Sequence, residues 1–247
     1  MIELAVVIGV VSVLLGALIS PLVAQNKARQ LRNERNAQVE IRDSLIGFAV
    51  VNRRLPCPDN DGDGTEDRTG GAGTACTAGA DGSPDFGFLP WNNLGVRGID
   101  TWGRLYLYRV DADFALESVP GTPAPDGAVL DLQDVSGINI SNYNDSKATF
   151  ALANGVAAIV VSLGANGHGG TDIDGNALAA VPAANANEVA NVAGTVGGFI
   201  SRQHTRELTT CDDTASSAGP LCEFDDVLTW VPPPLLFLRM VEGGALP

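Results

Sequence analysis

A chain of 247 residues with 45% hydrophobic content can bury a substantial core, while its 29 glycines and 14 prolines promise many turns. The formal charge of −14 is unevenly placed: residues 1–54 carry seven Lys/Arg against four Asp/Glu, leaving eight basic and 25 acidic residues beyond them. So acidic an exterior repels phosphates, which argues against nucleic acid as a partner and disfavours DNA uptake.

From Leu4 to Ala24 no side chain is charged, and Glu3 stands at the tip of that apolar run. As a helix, such a segment spans roughly 30 Å of hydrocarbon. A carboxylate beside lipid is costly and asks for a cationic partner. A cleaved secretory signal needs a basic start, where Glu3 stands instead, and Leu22-Val23-Ala24 is a poor cleavage site. A plain signal anchor fits the positive-inside rule badly, because Lys27, Arg29, Arg32 and Arg35 follow the span and nothing basic precedes it.

The helix is expected to continue over 25–54, with no Pro or Gly between Pro21 and Gly47. Leu31, Val39, Leu45 and Ile46 form an apolar stripe for packing on a domain, and Lys27, Arg29, Arg32, Glu34, Arg35, Glu40 and Arg42 fall on the other faces. Pro21 lacks a backbone donor and Gly16 weakens the helix, so residues 16–21 are the expected kink or melting point.

Four cysteines form two close pairs in sequence, Cys57 with Cys76 and Cys211 with Cys222. An even count suits disulfides in an exported domain; three connectivities are possible, of which local pairing is the easiest to close. A zinc site is the rival, although there is no CxxC and neither histidine adjoins a cysteine. Inside the first loop, Asp59, Asp61 and Asp63 alternate ahead of Gly64 and Thr65, like the first half of an EF-hand loop. The three carboxylates and the Thr65 carbonyl would ligate Ca²⁺. The twelfth position is Gly70, so Asp67 or Glu66 must replace the usual closing glutamate. The bland alternative is a solvated acidic turn. A second acidic turn at 170–176 offers fewer ligands and is assigned no metal.

Further on, 105–110 alternates like a strand, 128–132 is a short apolar run, and 157–163 (AAIVVSL) reads as a central buried strand. The weakly charged stretch 177–199 suggests small loops or strands. Residues 227–231 read as a strand and 235–242 as a short terminal helix after three prolines. For catalysis, the only histidines are His168, in a glycine-rich loop, and His204; Ser162-Leu163-Gly164 is no nucleophile elbow. No enzyme is expected.

The N-terminal run Met1-Ile2-Glu3-Leu4-Ala5-Val6-Val7-Ile8-Gly9-Val10-Val11, with Gly16 and Pro21 beyond it, resembles the mature start of type IV pilins and pseudopilins. Leu55-Pro56-Cys57-Pro58-Asp59, Gly87-Phe88-Leu89-Pro90-Trp91, Asp100-Thr101-Trp102-Gly103 and Phe224-Asp225-Asp226-Val227-Leu228-Thr229-Trp230 resemble elements of the same family. The resemblance implies a basic leader removed by a prepilin peptidase that then methylates the new amine, with a short Phe-Thr or Phe-Ser ahead of what is Met1 here. It implies that Glu3 pairs with the α-amine of a neighbouring copy and sets axial register, and that the stretch from Gly16 to Pro21 is non-helical in filaments. A C-terminal disulfide loop resembles what many type IV pilins use to staple the exposed end of the domain. Pseudopilins often carry calcium, but nearer the C-terminus than Asp59–Asp67.

The expected fold is therefore α+β: a long N-terminal helix on an antiparallel sheet, with loop-rich insertions. Residues 1–24 form the transmembrane and polymerising half of the helix, 25–54 its amphipathic half, and 55–247 a β-rich pilin-like domain. The expected function is that of a structural subunit of an extracellular type IV pilus-like filament, held in the inner membrane before assembly. Its partners would be further copies of itself, the inner membrane, the assembly machinery and the prepilin peptidase, with Ca²⁺ as a structural ion. A minor or tip pilin with an adhesive role and a type II secretion pseudopilin are the alternatives.

Overall fold

The computed structural model describes residues 2–69, 75–79, 82, 84–115, 138–143, 149–194, 198–206, 208, 210–214 and 219–246; within these, the side chains of 2–6, 8–23, 138, 139, 142, 143, 149 and 150 are not described. The apolar run expected at 128–132 lies outside the described residues, as do the side chains of Glu3, Gly16 and Pro21. Among the described residues, no helix is long and apolar enough to cross a membrane.

Helix α1 runs Ile2–Asn52 without a break. The expected interruption at 16–21 is absent. One proline removes a single link from the ladder, and the residues around it keep their own hydrogen bonds. The helix stops where Arg53 turns to φ 60°, with its N–H still bonded to the Ala49 carbonyl at 2.8 Å.

Three layers follow. The central sheet has the order β1 (Phe86–Phe88), β2 (Leu107–Val110), β5 (Ala158–Ser162), β7 (Val227–Val231), antiparallel throughout. Side chains alternate across it. Tyr108, Val110, Ala158 and Val160 face a core shared with Ile41, Leu45 and Ala49 of α1 and with Leu236 and Met240 of α5 (Pro233–Glu242). Leu107, Ile159 and Val161 face a second core with Ile140, Val156 and Phe199. Burial on both faces explains why β5 reads as an unbroken apolar run rather than an alternating one.

The second core is closed by a sheet the sequence did not announce, with order β4 (Thr149–Val156), β3 (Ile138–Tyr143), β6 (Phe199–Ile200); β3 and β4 pair antiparallel, β3 and β6 parallel. The 177–199 stretch is not all loop or strand, since it contains helix α4, Ala186–Ala193. Two short helices, α2 (Trp91–Leu94) and α3 (Ala112–Ala115), complete the description. The terminal helix begins at Pro233, where proline costs no hydrogen bond in the first turn. Both cysteine pairs are local disulfides, Cys57–Cys76 and Cys211–Cys222, so thiolate zinc ligation has no ligands left.

The face of α1 that packs differs from the expected stripe. Leu45 and Ile46 are buried, but Val39 is 45% exposed, and Glu34, expected on an outer face, is fully buried. The reason lies in its partners. Glu34 accepts from Tyr106 Oη at 2.8 Å, Thr101 N at 2.8 Å, Thr101 Oγ1 at 2.9 Å and an Arg97 guanidinium nitrogen at 3.2 Å. Four donors compensate a carboxylate taken from water. Burial still pushes the Glu34 pKa up against these bonds. Gln38, one turn later, donates to the Val227 carbonyl at 2.6 Å. Glu34→Ala should lower unfolding stability by about 3 kcal/mol, since it orphans several buried donors, and Glu34→Gln should lose less. Chemical denaturation of the two variants checks both the size and the order.

Candidate functional site

The loop predicted to bind calcium is well ordered by its own backbone. Asp59 is fully buried and both of its oxygens are occupied: Oδ1 accepts from Asp61 N (3.2 Å) and Gly62 N (2.7 Å), Oδ2 from Gly64 N (2.8 Å). Asp67 accepts from Asn60 N at 2.7 Å. Asp59, Asp61 and Asp67 each offer an oxygen within 4.8 Å of the others. Asp63 is not in that group: it is exposed and accepts from both the N–H and the hydroxyl of Thr65. Glu66 is committed elsewhere. It receives both guanidinium arms of Arg54, at 2.6 and 2.7 Å, and the Cys57 N–H at 2.9 Å. Burial raises its pKa, but these bonds outweigh that and hold it below the ordinary glutamate value. The Cys57–Cys76 bridge and the Arg54 clamp thus fix both ends of a loop that is already satisfied internally.

A second acidic group, from the C-terminal half, is less satisfied. Glu188 on α4, and Asp225 and Asp226 just before β7, place one oxygen each within 4.8 Å of the others. Glu188 and Asp226 are buried. Asn166 Nδ2 reaches both Glu188 oxygens (3.1 and 3.3 Å), Asp225 Oδ2 accepts from Asn166 N (2.8 Å), and Asp226 accepts from Asn191 Nδ2 (2.8 Å). Two buried atoms here have no hydrogen-bond partner, Asp225 Oδ1 and His168 Nδ1, the latter 3.9 Å from Glu188. Gly164, at φ +61°, lies so close that a Cβ there would collide with the Asp225 carboxylate. Burial raises the pKa of all three acids, and for Asp226 the neighbouring Glu188 charge raises it further.

Three oxygen donors, mutual repulsion and one orphaned carboxylate oxygen fit a hard divalent cation such as Ca²⁺, which would neutralise the group and occupy the free oxygen. Sequence reasoning missed this assembly because its parts lie far apart in the chain. A signal existed: Glu188 is the sole charge between 177 and 199. The second acidic turn is a closed structure, with Asp172 accepting from Asp174 N, Asn176 N and Asn176 Nδ2. Ser162, the one hydroxyl weighed as a nucleophile, donates to Asp100 at 2.7 Å. Compared with family models, curated proteins and solved structures, the chain matches none.

Raised pKa values make these acids a stabilising group when protonated, with that stability lost as pH rises through their folded-state values. Asp226→Asn keeps an acceptor for Asn191 and removes a buried charge. In chelator at about pH 7.5 it should gain about 1–2 kcal/mol, a gain that fades towards about pH 4, where the wild-type acid carries its own proton. Added Ca²⁺ should raise the melting temperature of the wild type and leave that of the variant nearly unchanged; denaturation curves over pH, with and without Ca²⁺, read both effects.

Proposed function

We propose that this chain is a structural subunit of a type IV pilus-like filament, held in the inner membrane by residues 4–24 and polymerising through them. The observation that carries this reading is the division of α1. Its second half is built into the head through Glu34, Ile41, Leu45 and Ala49, while residues 24–30 are exposed. Residues 4–24 continue the same helix as an uncharged, apolar run, and on this reading that run is buried outside its own head. Further copies of the same helix can bury it, with Glu3 meeting a neighbour's α-amine in place of water. Two local disulfides suit a head exposed to an oxidising exterior. On this reading the protein is not an enzyme, and its partners are its own copies, the assembly machinery and the prepilin peptidase that exposes the amine.

A second reading, a secretion pseudopilin, is favoured by one observation. The Glu188–Asp225–Asp226 group lies nearer the C-terminus, where pseudopilins often carry calcium, and it is a better candidate for Ca²⁺ than the Asp59–Asp67 loop. The adhesive tip reading has no comparable support.

Electron microscopy of sheared surface filaments, with sequence identification of their subunit, separates the readings: the major subunit coats whole filaments and a tip subunit appears once at an end. Glu3→Ala should cut filament number about tenfold or more while leaving membrane insertion intact, because only the assembled helix bundle asks for the charge pair. Normal filaments from this variant would contradict the register role of Glu3.

A further inference from the structure

Where α1 leaves the head, its surface carries one sign of charge. Lys27, Arg29, Arg32 and Arg35 are all exposed, and none makes an ion pair among the described residues. The only acid between 24 and 36, Glu34, is turned into the head. In a chain of net charge −14 this cationic collar is an exception, and it adjoins a cleft of about 520 Å³ between α1 and β7. Leu31, Val39 and Leu228 give the cleft apolar wall, and Arg35 stands at it. The other charged groups facing it are already occupied. Arg202 lies 3.6 Å from Asp213 and donates to the Cys222 carbonyl, Asp226 accepts from Asn191, and His204, half-buried, is held below its ordinary pKa by burial and by Arg35. Arg35 is therefore the cation free to meet a ligand.

The head also carries a shape of the opposite kind. The turn at 171–176 is closed by the Thr171–Ala177 bridge and by the three donors on Asp172, with Gly175 at φ +83°. At its tip Ile173 is 53% exposed between the carboxylates of Asp172 and Asp174. An exposed isoleucine flanked by acids complements an apolar slot edged by an arginine. The two surfaces lie in the same part of the head. The turn bridges to Arg104, three residues beyond the Thr101 that holds Glu34, and the cleft includes Gln38, one turn along α1. They are separate surfaces, however, because the cleft flanks the edge strand β7 and the turn is anchored just ahead of the interior strand β2, two strands away.

We infer that the α1–β7 cleft of one copy takes the Ile173 turn of the next, with Asp174 against Arg35. This rests on the filament reading above and names a lateral contact within it. Within a filament the contact is heterologous: each copy offers its turn to one neighbour and its cleft to another, so the series continues from copy to copy. Charge selects the register of the contact, and burial of Ile173 against Leu31 and Val39 supplies its adhesion.

The test uses the full chain assembled from membranes. Asp174→Lys and Arg35→Glu are both exposed changes that leave the closed turn and the core untouched. Each should reduce filament mass about tenfold or more, and the double variant, with the charges exchanged, should recover most of it. Mixed Ile173→Cys and Val39→Cys chains should form an intermolecular disulfide within filaments, and neither variant alone should. Wild-type-like assembly by both single variants, or no recovery in the double variant, overturns the contact and leaves the filament reading standing. A wild type that forms no filament removes the filament reading itself. Loss of binding to vesicles of phosphatidylglycerol in Arg35→Glu, with the cysteine cross-link absent, would overturn the contact and assign the collar to lipid headgroups instead.

Discussion

A carboxylate that leaves water must be met by donors, and in this chain that requirement decides where the long helix sits. Glu34 lies fully buried among Tyr106, Thr101 and Arg97, all from the segment that leads into β2. That segment is held in turn by Asp100, which accepts from Trp102 N, Arg104 N and the Ser162 hydroxyl, so helix, loop and central strand β5 share one hydrogen-bond network. Apolar packing alone would let a helix slide or rotate along a sheet at modest cost. Several directed bonds to one carboxylate allow a single position, because every other leaves buried donors unpaired.

From that anchor the rest of the architecture follows. Ile41, Leu45 and Ala49 come to lie on Tyr108, Val110 and Val160, and α5 folds back to cover the same core. The opposite face of the sheet then needs its own cover, supplied by the small β4-β3-β6 sheet. Inward placement of Glu34 also leaves its basic neighbours on α1 without an acid among them, which gives the helix its cationic collar beside an acidic head.

How much of this was legible in the sequence can be traced residue by residue. The long helix, the β2, β5 and β7 strands, the terminal helix and both local cysteine pairs were readable, because period, β-branched runs and short loop closures are local signals. Glu34 was not. On a helical wheel it is one polar residue among several, and only the distant Thr101 and Tyr106 turn it inward. Helix α4 was hidden by its composition: ANEVANVA buries Asn187, Glu188 and Asn191 instead of an apolar stripe, and remote segments meet this face, with Asp213 accepting from the Asn187 N–H, Asn166 donating to Glu188 and the Ile200 carbonyl accepting from Asn191. The acidic groups divide the same way. The Asp59 loop announced itself by spacing yet is filled by its own N–H groups, whereas Glu188, Asp225 and Asp226 assemble only in the fold.

The functional reading depends on α1 having two unlike halves, one belonging to the head and one left for membrane or neighbours. Hydrogen exchange on the full chain in detergent measures that division directly. Amides from about 37 to 49 should be protected to the same degree as those of β5, since both open only with the core, while those from about 24 to 31 should exchange orders of magnitude faster. Uniform protection along the helix, or loss of protection at 37–49 while β5 stays closed, would contradict the account.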